Sequence, residues 1–238
     1  MGGNAIYLDA NNLQLSRGET YADTAKIFSG YLDTVVIRTF SHSTVEIFAE
    51  EGSIPVINGL TDVYHPCQAL SDLFTIKEAG LLLPGLKITY MGDSNNVTNS
   101  LMVGLSKLGL KLIVGSPPEY GPGQEIMKYI ESIEGSDVSI VTDPVKAVED
   151  ADIVYTDVWI SMGDSESDQK VKKLSNYQIN GELLNHAAKD VIIMHCLPAH
   201  RGEEITAEAL VGPNSIVLKQ AENRLYAQKA LLAYIFES

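Results

Sequence analysis

The stretch Val191-Ile192-Ile193-Met194-His195-Cys196-Leu197-Pro198 joins an apolar run to the start of a polar loop. The run is rich in β-branched residues and has no polar alternation, which predicts a buried strand of an α/β sheet. A proline ends the strand, and an imidazole and a thiol stand at its carboxyl end. Because ligands of open α/β sheets bind beyond the carboxyl ends of strands, we expect a ligand site here.

Strand and helix patterns alternate through the rest of the chain. Before residue 80 the predicted strands are 5–8, 34–38 and 55–59, and the predicted helices are 20–31, 43–51 and 65–79. After residue 85 the predicted strands are 86–92, 110–115, 137–141, 151–156, 190–194 and 215–218, and the predicted helices are 97–108, 124–134, one opening at 143, and 220–236. This alternation is typical of α/β folds, in which doubly wound parallel sheets carry helices on their faces.

Charge and cysteine content restrict the classes of partner. The 238 residues include 31 acidic and 17 basic side chains, giving a net charge of -14 and a pI near 4.7. Nucleic acids and anionic membranes bind basic faces, so we expect neither as a partner. Two cysteines are too few for a disulfide framework or a cysteine-rich zinc site. With no apparent signal peptide or membrane-length apolar run, a cytoplasmic location is predicted.

The loop Gly92-Asp93-Ser94-Asn95-Asn96 joins a predicted strand to a predicted helix, as a dinucleotide-binding loop would. It lacks the three spaced glycines that let a backbone approach a pyrophosphate, which disfavours a nicotinamide-dependent oxidoreductase. Asn95 and Asn96 instead place amide groups beside the positive end of a helix dipole, a setting that suits a carboxylate. A simple helix cap is the alternative, more for Asn95 than for Asn96.

Four motifs together resemble the ornithine carbamoyltransferases, and the likeness runs along essentially the whole chain. They are His65-Pro66-Cys67-Gln68, Asp157-Val158-Trp159-Ile160-Ser161-Met162-Gly163, His195-Cys196-Leu197-Pro198 and Ala221-Glu222-Asn223-Arg224. The resemblance implies transfer of a carbamoyl group from carbamoyl phosphate to the side-chain amine of L-ornithine, giving L-citrulline and phosphate. It implies these two small molecules as substrates, no metal or organic cofactor, and a homotrimer or a multiple of trimers.

The same resemblance divides the chain into domains. It implies a partial carbamoyl-phosphate-binding domain at 1–82, an ornithine-binding domain at 83–218, and a C-terminal helix at 219–238 that returns to the first domain. In this family a Ser-Thr-Arg-Thr-Arg motif that grips the phosphate precedes the part that this sequence matches. The expected fold is therefore two doubly wound lobes, the first incomplete. The alternative function is a catalytically impaired or silent homologue that binds an amino acid but lacks the phosphate-gripping motif.

Carbamoyl phosphate carries a dianionic phosphate and a carbonyl oxygen that becomes negative during attack, so its site needs cations and hydrogen-bond donors. The resemblance assigns to this site Gln14, Arg38, His65, Gln68, Cys196, Leu197 and Arg224, with catalytic roles for Arg38, His65, Cys196 and Arg224. From the residues alone, the arginines also fit surface charges, and His65 before a proline also fits a helix start. Gln14 would reach the active site of a neighbouring subunit; an ordinary mobile loop is the alternative.

Ornithine is a zwitterion with an extra amine, so its site needs an acid and hydrogen-bond donors. The resemblance assigns to this site Asn96, Asp157, Ser161 and Met162. Asp157 would bind the α-ammonium, unless it only caps the following turn. We expect Cys196 near the reacting amine, oriented with help from the Leu197 carbonyl, and not as a nucleophile, because a positioned amine attacks directly. A buried inert thiol is the alternative for Cys196.

Overall fold

The structure is a computed structural model that describes residues 2–160 and 167–237. Two parallel sheets organise this part of the chain, in agreement with the predicted α/β class. Among the described residues, no helix combines the length and apolar character needed to span a membrane.

The first sheet has two parallel strands flanked by helices. The elements in chain order are α1 (Tyr21–Ser29), β1 (Val35–Arg38), α2 (His42–Glu51), β2 (Val56–Leu60) and α3 (Pro66–Glu78), after short 3-10 turns at Ala10–Asn12 and Gln14–Arg17. The helices α1 and α2 pack together, with the Phe48 ring 5.9 Å from that of Phe28 and 6.4 Å from that of Tyr21. Thr20 caps α1, because its hydroxyl accepts a hydrogen bond from the Asp23 N–H.

The predicted strand at 5–8 is wrong. Residues 2–9 have no regular secondary structure, and Tyr7 is 91% exposed. A strand is stable only when its N–H and C=O groups pair with a neighbouring strand, and no strand of the described chain pairs with this segment. The apolar sequence pattern alone therefore does not make a strand here.

The second sheet has five parallel strands in the order β5-β4-β3-β6-β7. Its elements are β3 (Lys87–Met91), α4 (Asn96–Lys107), β4 (Lys111–Gly115), α5 (Gln124–Glu131), β5 (Asp137–Val141), α6 (Pro144–Val148), β6 (Ile153–Thr156), α7 (Ser167–Leu174), α8 (Gly181–Leu184), β7 (Ile192–His195) and α9 (Ala207–Val211). Every residue of β6 is buried, as its continuous apolar sequence predicts, and apolar clusters cover both faces of the sheet.

The strand order reverses at β3, which pairs with β4 on one side and with β6 on the other. The chain runs outward from β3 through β4 to β5, and then returns to build β6 and β7 on the opposite side. A crevice is expected where strand order reverses, outside the carboxyl ends of the strands. The 92–96 loop, Asp157 and Cys196 follow β3, β6 and β7 and so lie at this edge.

The predicted strand at 215–218 is also wrong. Ser215 makes a single parallel bridge with Ile193, and the last helix, α10 (Val217–Glu237), begins at once. The Gln220 N–H already donates to the Ile216 carbonyl, so helical hydrogen bonding replaces strand pairing within this short apolar run. The helix α10 packs along α3 and against β7, so it joins the two parts of the fold.

Candidate active site

A carboxylate, a thiol and an amide meet at the carboxyl ends of three neighbouring strands. The Cys196 Sγ lies 2.8 Å from Asp157 Oδ1, and Asn95 Nδ2 donates to Asp157 Oδ2 at 2.7 Å. The Val158 N–H also donates to Asp157 Oδ1, at 2.8 Å. Asp157 therefore collects three donors from the ends of β3, β6 and β7, and the Cys196 thiol is one of them.

The Cys196 thiol is held in its protonated form. Burial, followed by the negative charge of Asp157 and the hydrogen bond to it, raises the pKa of the thiol well above its usual range. A thiolate is the reactive form of cysteine, so this environment suppresses nucleophilicity and makes the S–H a donor to Asp157. This geometry supports the expectation that Cys196 does not act as a nucleophile.

Asn95 is the helix cap of α4. Its Oδ1 accepts hydrogen bonds from the N–H groups of Val97 and Thr98 at 2.9 and 3.3 Å, and its own N–H donates to the Thr98 hydroxyl, which completes a capping box. Asn96 begins the helix, and its Nδ2 donates to the Thr61 carbonyl at 2.5 Å. That contact ties the start of α4 to the loop after β2.

Gly92 allows the loop before α4 to pass close to Trp159. Its φ is +114°, and an added Cβ would lie 2.6 Å from Trp159 Nε1. Trp159 is 1% exposed and belongs to the apolar cluster on one face of the sheet. Only glycine fits both the backbone angle and the space, so this residue allows the loop its close approach to Trp159.

His65 lies beside two cationic side chains at the start of α3. It is 6% exposed, its N–H donates to the Ser100 hydroxyl at 2.7 Å, and its buried Nδ1 has no hydrogen-bond partner in the described part of the chain. Burial, followed by the charges of Arg224 and then Arg38, lowers the pKa of His65 from 6.5 to about 4. The imidazole is therefore neutral at neutral pH, with two guanidinium groups nearby.

These two arginines come from opposite ends of the chain. Arg38 is the exposed last residue of β1, and Arg224 is a half-buried residue of α10 whose Nε is buried without a partner in the structure described. Both act on the His65 pKa, so the fold brings the three predicted side chains into one electrostatic cluster. Two guanidinium groups beside a neutral imidazole suit a phosphate dianion attached to a polarised carbonyl.

Gln68 belongs to a buried network that the sequence did not reveal. Its Nε2 donates to Asp72 Oδ1 at 2.9 Å, and Asp72 also accepts from Gln220 at 2.7 Å and from the Tyr155 hydroxyl at 3.0 Å. Burial raises the pKa of Asp72 from 3.8 to about 6, against the opposing effect of these hydrogen bonds. A signal was present: α3 buries a polar stripe, consisting of Gln68, Ser71, Asp72 and Thr75.

His195 orients the loop that carries Cys196. Its Nδ1 accepts from the Leu197 N–H at 2.9 Å, and its Nε2 lies 3.1 Å from Glu204 Oε1. The first contact makes Nδ1 the acceptor, so Nε2 carries the proton and donates to the carboxylate. Leu197, whose φ is +55°, is thereby held in the left-handed region directly after the thiol-bearing residue.

Two groups of described residues could supply three metal-ligand atoms within 4.8 Å of one another: Asp157, His195 and Cys196 in one, and His200, Glu203 and Glu204 in the other. In the first group, both ring nitrogens of His195 already make hydrogen bonds within the protein. With both ring nitrogens used in this way, His195 is better suited to orienting the loop that carries Cys196 than to binding a metal ion.

Three predicted residues are not joined to this site by the described contacts. Gln14 is exposed in the turn Gln14–Arg17, and the hydrogen bonds of the described residues do not link it to the other predicted site residues. Ser161 and Met162 lie outside the described residues. Their assignments remain predictions.

Comparison with known proteins gives matches along nearly the whole chain. Residues 1–78 match the carbamoyl-P binding domain of aspartate/ornithine carbamoyltransferases, and residues 84–235 match the Asp/Orn binding domain. The chain is 52% identical to the ornithine carbamoyltransferase of Bacillus subtilis (strain 168) over 239 residues, which cover 99% of this chain and 75% of that protein.

Solved structures of ornithine carbamoyltransferases have the same fold as this chain. The ornithine carbamoyltransferase of Pyrococcus furiosus superposes with a TM-score of 0.91 at 49% identity, over 98% of this chain and 75% of that one. The anabolic enzyme of Campylobacter jejuni superposes with a TM-score of 0.92 at 39% identity, over 99% of this chain and 80% of that one. The chain belongs to the aspartate/ornithine carbamoyltransferase family.

Proposed function

We infer that this chain transfers the carbamoyl group of carbamoyl phosphate to the side-chain amine of L-ornithine, giving L-citrulline and phosphate. The observation that carries this conclusion is that two chemically different clusters lie at the start of α4, one joined to it by the hydrogen bond from the His65 N–H to Ser100 and the other by the hydrogen bond from Asn95 to Asp157. One contains the neutral His65 with Arg38 and Arg224, and the other contains Asp157 with Cys196. Relatives of about half-identical sequence bear the name of this activity.

The first cluster suits the carbamoyl donor. Arg38 and Arg224 supply positive charge for the phosphate dianion. His65 is neutral, so its remaining hydrogen-bonding capacity is available to the carbonyl group instead of adding a third cation. Gln68, with Nε2 committed to Asp72, presents Oε1 as the acceptor for the amide of the carbamoyl group.

The second cluster suits the amino-acid acceptor. Asp157 supplies a carboxylate for the α-ammonium, and Asn96 supplies an amide for the carboxylate, with Ser161 and Met162 proposed to complete the contacts. Cys196 lies 2.8 Å from Asp157 and is proposed to orient the reacting amine together with the Leu197 carbonyl. Because the thiol is held protonated, a covalent thioester is not part of this mechanism.

The reaction then needs no intermediate on the protein. The amine nitrogen forms a bond to the carbamoyl carbon, the bond from that carbon to the phosphate oxygen breaks, and the proton that the amine loses passes to the departing phosphate. Charge grows on the carbonyl oxygen during attack and moves to the departing phosphate, where the arginines offset it. Positioning of the two substrates and these fixed charges would supply most of the rate increase.

Assembly and location are also proposals. A homotrimer, or a multiple of trimers, would let Gln14 enter a neighbouring active site, and its exposure in a polar turn supports that role. Sedimentation equilibrium should then give a mass of about three chains of 25.9 kDa each. A cytoplasmic location is supported by the two cysteines, Cys67 and Cys196, both of which are free thiols.

The variant Asp157→Asn tests the proposed function against a matched control. Replacing the carboxylate should lower kcat/KM for ornithine in citrulline formation by about 100-fold, because an ammonium loses its buried counter-charge. The control is Asp143→Asn, which keeps the cap of α6 and lies on an exposed turn. Ornithine binding without citrulline formation by the unmodified protein would favour the silent homologue, and equal activity of the two variants would contradict the role of Asp157.

A further inference from the structure

Asp72 is a fully buried carboxylate at the meeting point of three structural elements. It lies on α3 and has no exposed surface. Its Oδ1 accepts from Gln68 Nε2 at 2.9 Å and from Gln220 Nε2 at 2.7 Å, while its Oδ2 accepts from the Tyr155 hydroxyl at 3.0 Å. The three donors are themselves at most 1% exposed. Water is therefore poorly placed to replace any of these contacts.

Each donor leads to a different part of the active site. Gln68 lies one turn after His65 and is proposed to contact the carbamoyl amide. Gln220 accepts the His195 N–H through Oε1 at 2.9 Å, so it fixes the backbone immediately before Cys196. Tyr155 lies in β6, two residues before Asp157, so its hydrogen bond to Asp72 holds the strand that carries Asp157. The Asp72 carboxylate thus contacts residues that position groups in both clusters, the one proposed for carbamoyl phosphate and the one proposed for ornithine.

We propose that Asp72 is a positioning residue that holds the Gln68 carboxamide and the His195–Cys196 backbone in register, so that the carbamoyl carbon and the amine meet at the correct distance. This role rests on the proposed function. Asp72 does not touch either substrate in this account; it acts through Gln68, Gln220 and Tyr155.

The three donors around Asp72 suit an acceptor-only group at this position. An ionised carboxylate satisfies two amide donors on one oxygen and a hydroxyl donor on the other. Asparagine has the same shape but presents one oxygen and one NH₂ group, so either the Tyr155 hydroxyl must turn to accept or the two carboxamides of Gln68 and Gln220 must turn. If the asparagine introduced by Asp72→Asn directs its NH₂ group at Gln68 and Gln220, both carboxamides must turn. Each carboxamide would then lose the orientation that its hydrogen bond to Asp72 gives it.

The test is Asp72→Asn, with Thr75→Val as the control. Thr75 is buried on the same helix one turn later and joins α3 to α10 by accepting from Asn223 Nδ2 at 3.0 Å. The control therefore removes a contact between the same two helices without touching Gln68 or His195. Both variants should be examined by thermal unfolding, by citrulline kinetics, and by amide hydrogen exchange across residues 191–197.

The proposal predicts that kcat falls about 100-fold in Asp72→Asn, while KM for carbamoyl phosphate changes by less than about threefold, because the hydrogen bonds described for Asp72 come from Gln68, Gln220 and Tyr155 and not from the arginines proposed to hold the phosphate. Exchange of the His195 amide should also become faster. Thr75→Val should keep its kcat within about threefold even if its melting temperature falls further than that of Asp72→Asn. Unchanged kcat, or unchanged His195 exchange, in Asp72→Asn would overturn the proposal.

Gln220→Met provides a second variant if Asp72→Asn does not fold. It removes the link between Asp72 and the His195 N–H while leaving the carboxylate in place, and it should reproduce both the lower kcat and the faster exchange. If the unmodified protein forms no citrulline, the proposed function fails, and the exchange measurement alone then decides whether Asp72 fixes the end of β7.

Discussion

The His65 side chain illustrates how burial and neighbouring charge set a protonation state. Its folded-state pKa of about 4 lies below the ordinary value of 6.5. Between pH 4 and pH 6.5, His65 is therefore protonated in the unfolded chain and neutral in the folded protein. The stability that His65 contributes is therefore present above pH 6.5 and is lost as the pH falls towards 4. A substitution that cannot titrate removes this dependence.

We predict that the unfolding free energy of the unmodified protein, relative to that of His65→Gln, decreases by about 2 kcal/mol between pH 8 and pH 5, given the lowered pKa. Urea unfolding of both proteins at the two pH values measures the difference. A constant difference would show that His65 is not shielded from protonation in the folded state.

Asp72 should show the opposite sign. Its folded-state pKa of about 6 lies above 3.8, so the folded protein holds a proton that the unfolded chain releases between these values. The groups that face the Asp72 carboxylate include Tyr155, Arg224 and the Cys196 thiol. Burial raises the pKa of Asp72 by more than its hydrogen bonds and the charge of Arg224 lower it. Raising the pH through 6 therefore removes stability.

We predict that the unfolding free energy of the unmodified protein, relative to that of Asp72→Asn, decreases by about 1–2 kcal/mol from pH 5 to pH 8, given the raised pKa of Asp72. The same urea experiment measures it, and His65→Gln serves as a control of opposite sign. Parallel curves for the unmodified protein and Asp72→Asn would contradict the raised pKa.

Cys196 offers a test of the direct-attack mechanism. Because the thiol is a protonated donor to Asp157, Cys196→Ala should lower kcat by about 10- to 100-fold and leave measurable turnover. Loss of a true nucleophile would cost far more. Cys67→Ala, which removes the other buried thiol, should retain kcat, and citrulline assays compare the two. A Cys196→Ala variant without any turnover would argue for covalent catalysis.

At the residue scale, sequence motifs located Asp157, Cys196 and His65 because each stands next to a recognisable strand end or helix start. They did not locate Asp72, Tyr155 or Gln220 as site supports. Asp72 and Gln220 are 148 residues apart in sequence, and only folding of α10 against α3 brings them together. A polar stripe on a buried helix was the available signal, but its partners cannot be read from local spacing.

At the element scale, the predictable strands are those whose apolar runs have partners. The five strands of the second sheet were placed within a few residues, because continuous burial leaves a clear apolar signature. The segments 5–8 and 215–218 carry the same signature and do not form strands: one lacks a neighbour, and the other enters a helix. The short helices α7, α8 and α9 were missed, since few turns give little periodicity.

The loop before α4 is the element whose conformation depends most clearly on one residue. Gly92→Ala should destabilise the protein by at least about 2 kcal/mol, because a positive φ and a 2.6 Å contact with Trp159 Nε1 act together. Gly135→Ala has a φ of +78° but no atom within 4 Å of its added Cβ, so it should cost only about 1 kcal/mol. Thermal unfolding compares them, and equal losses would exclude a steric role for Trp159.

At the scale of the whole molecule, α10 carries Arg224 and packs along α3, and the His65 N–H at the start of α3 donates to Ser100 of α4, the helix whose cap contacts Asp157. A net charge of -14 would repel an anionic substrate at long range, so the local guanidinium groups have to dominate at the site. The same net negative charge, together with the Asp157 carboxylate, favours an acceptor that carries an additional ammonium group over one that carries an additional carboxylate.

The most direct measurement compares L-ornithine with L-aspartate as acceptor, using carbamoyl phosphate as donor and identifying the carbamoylated product by mass spectrometry. The account predicts citrulline from ornithine and no carbamoylated product from aspartate above the level without protein. Carbamoylation of aspartate, or no product from either amino acid, would contradict it.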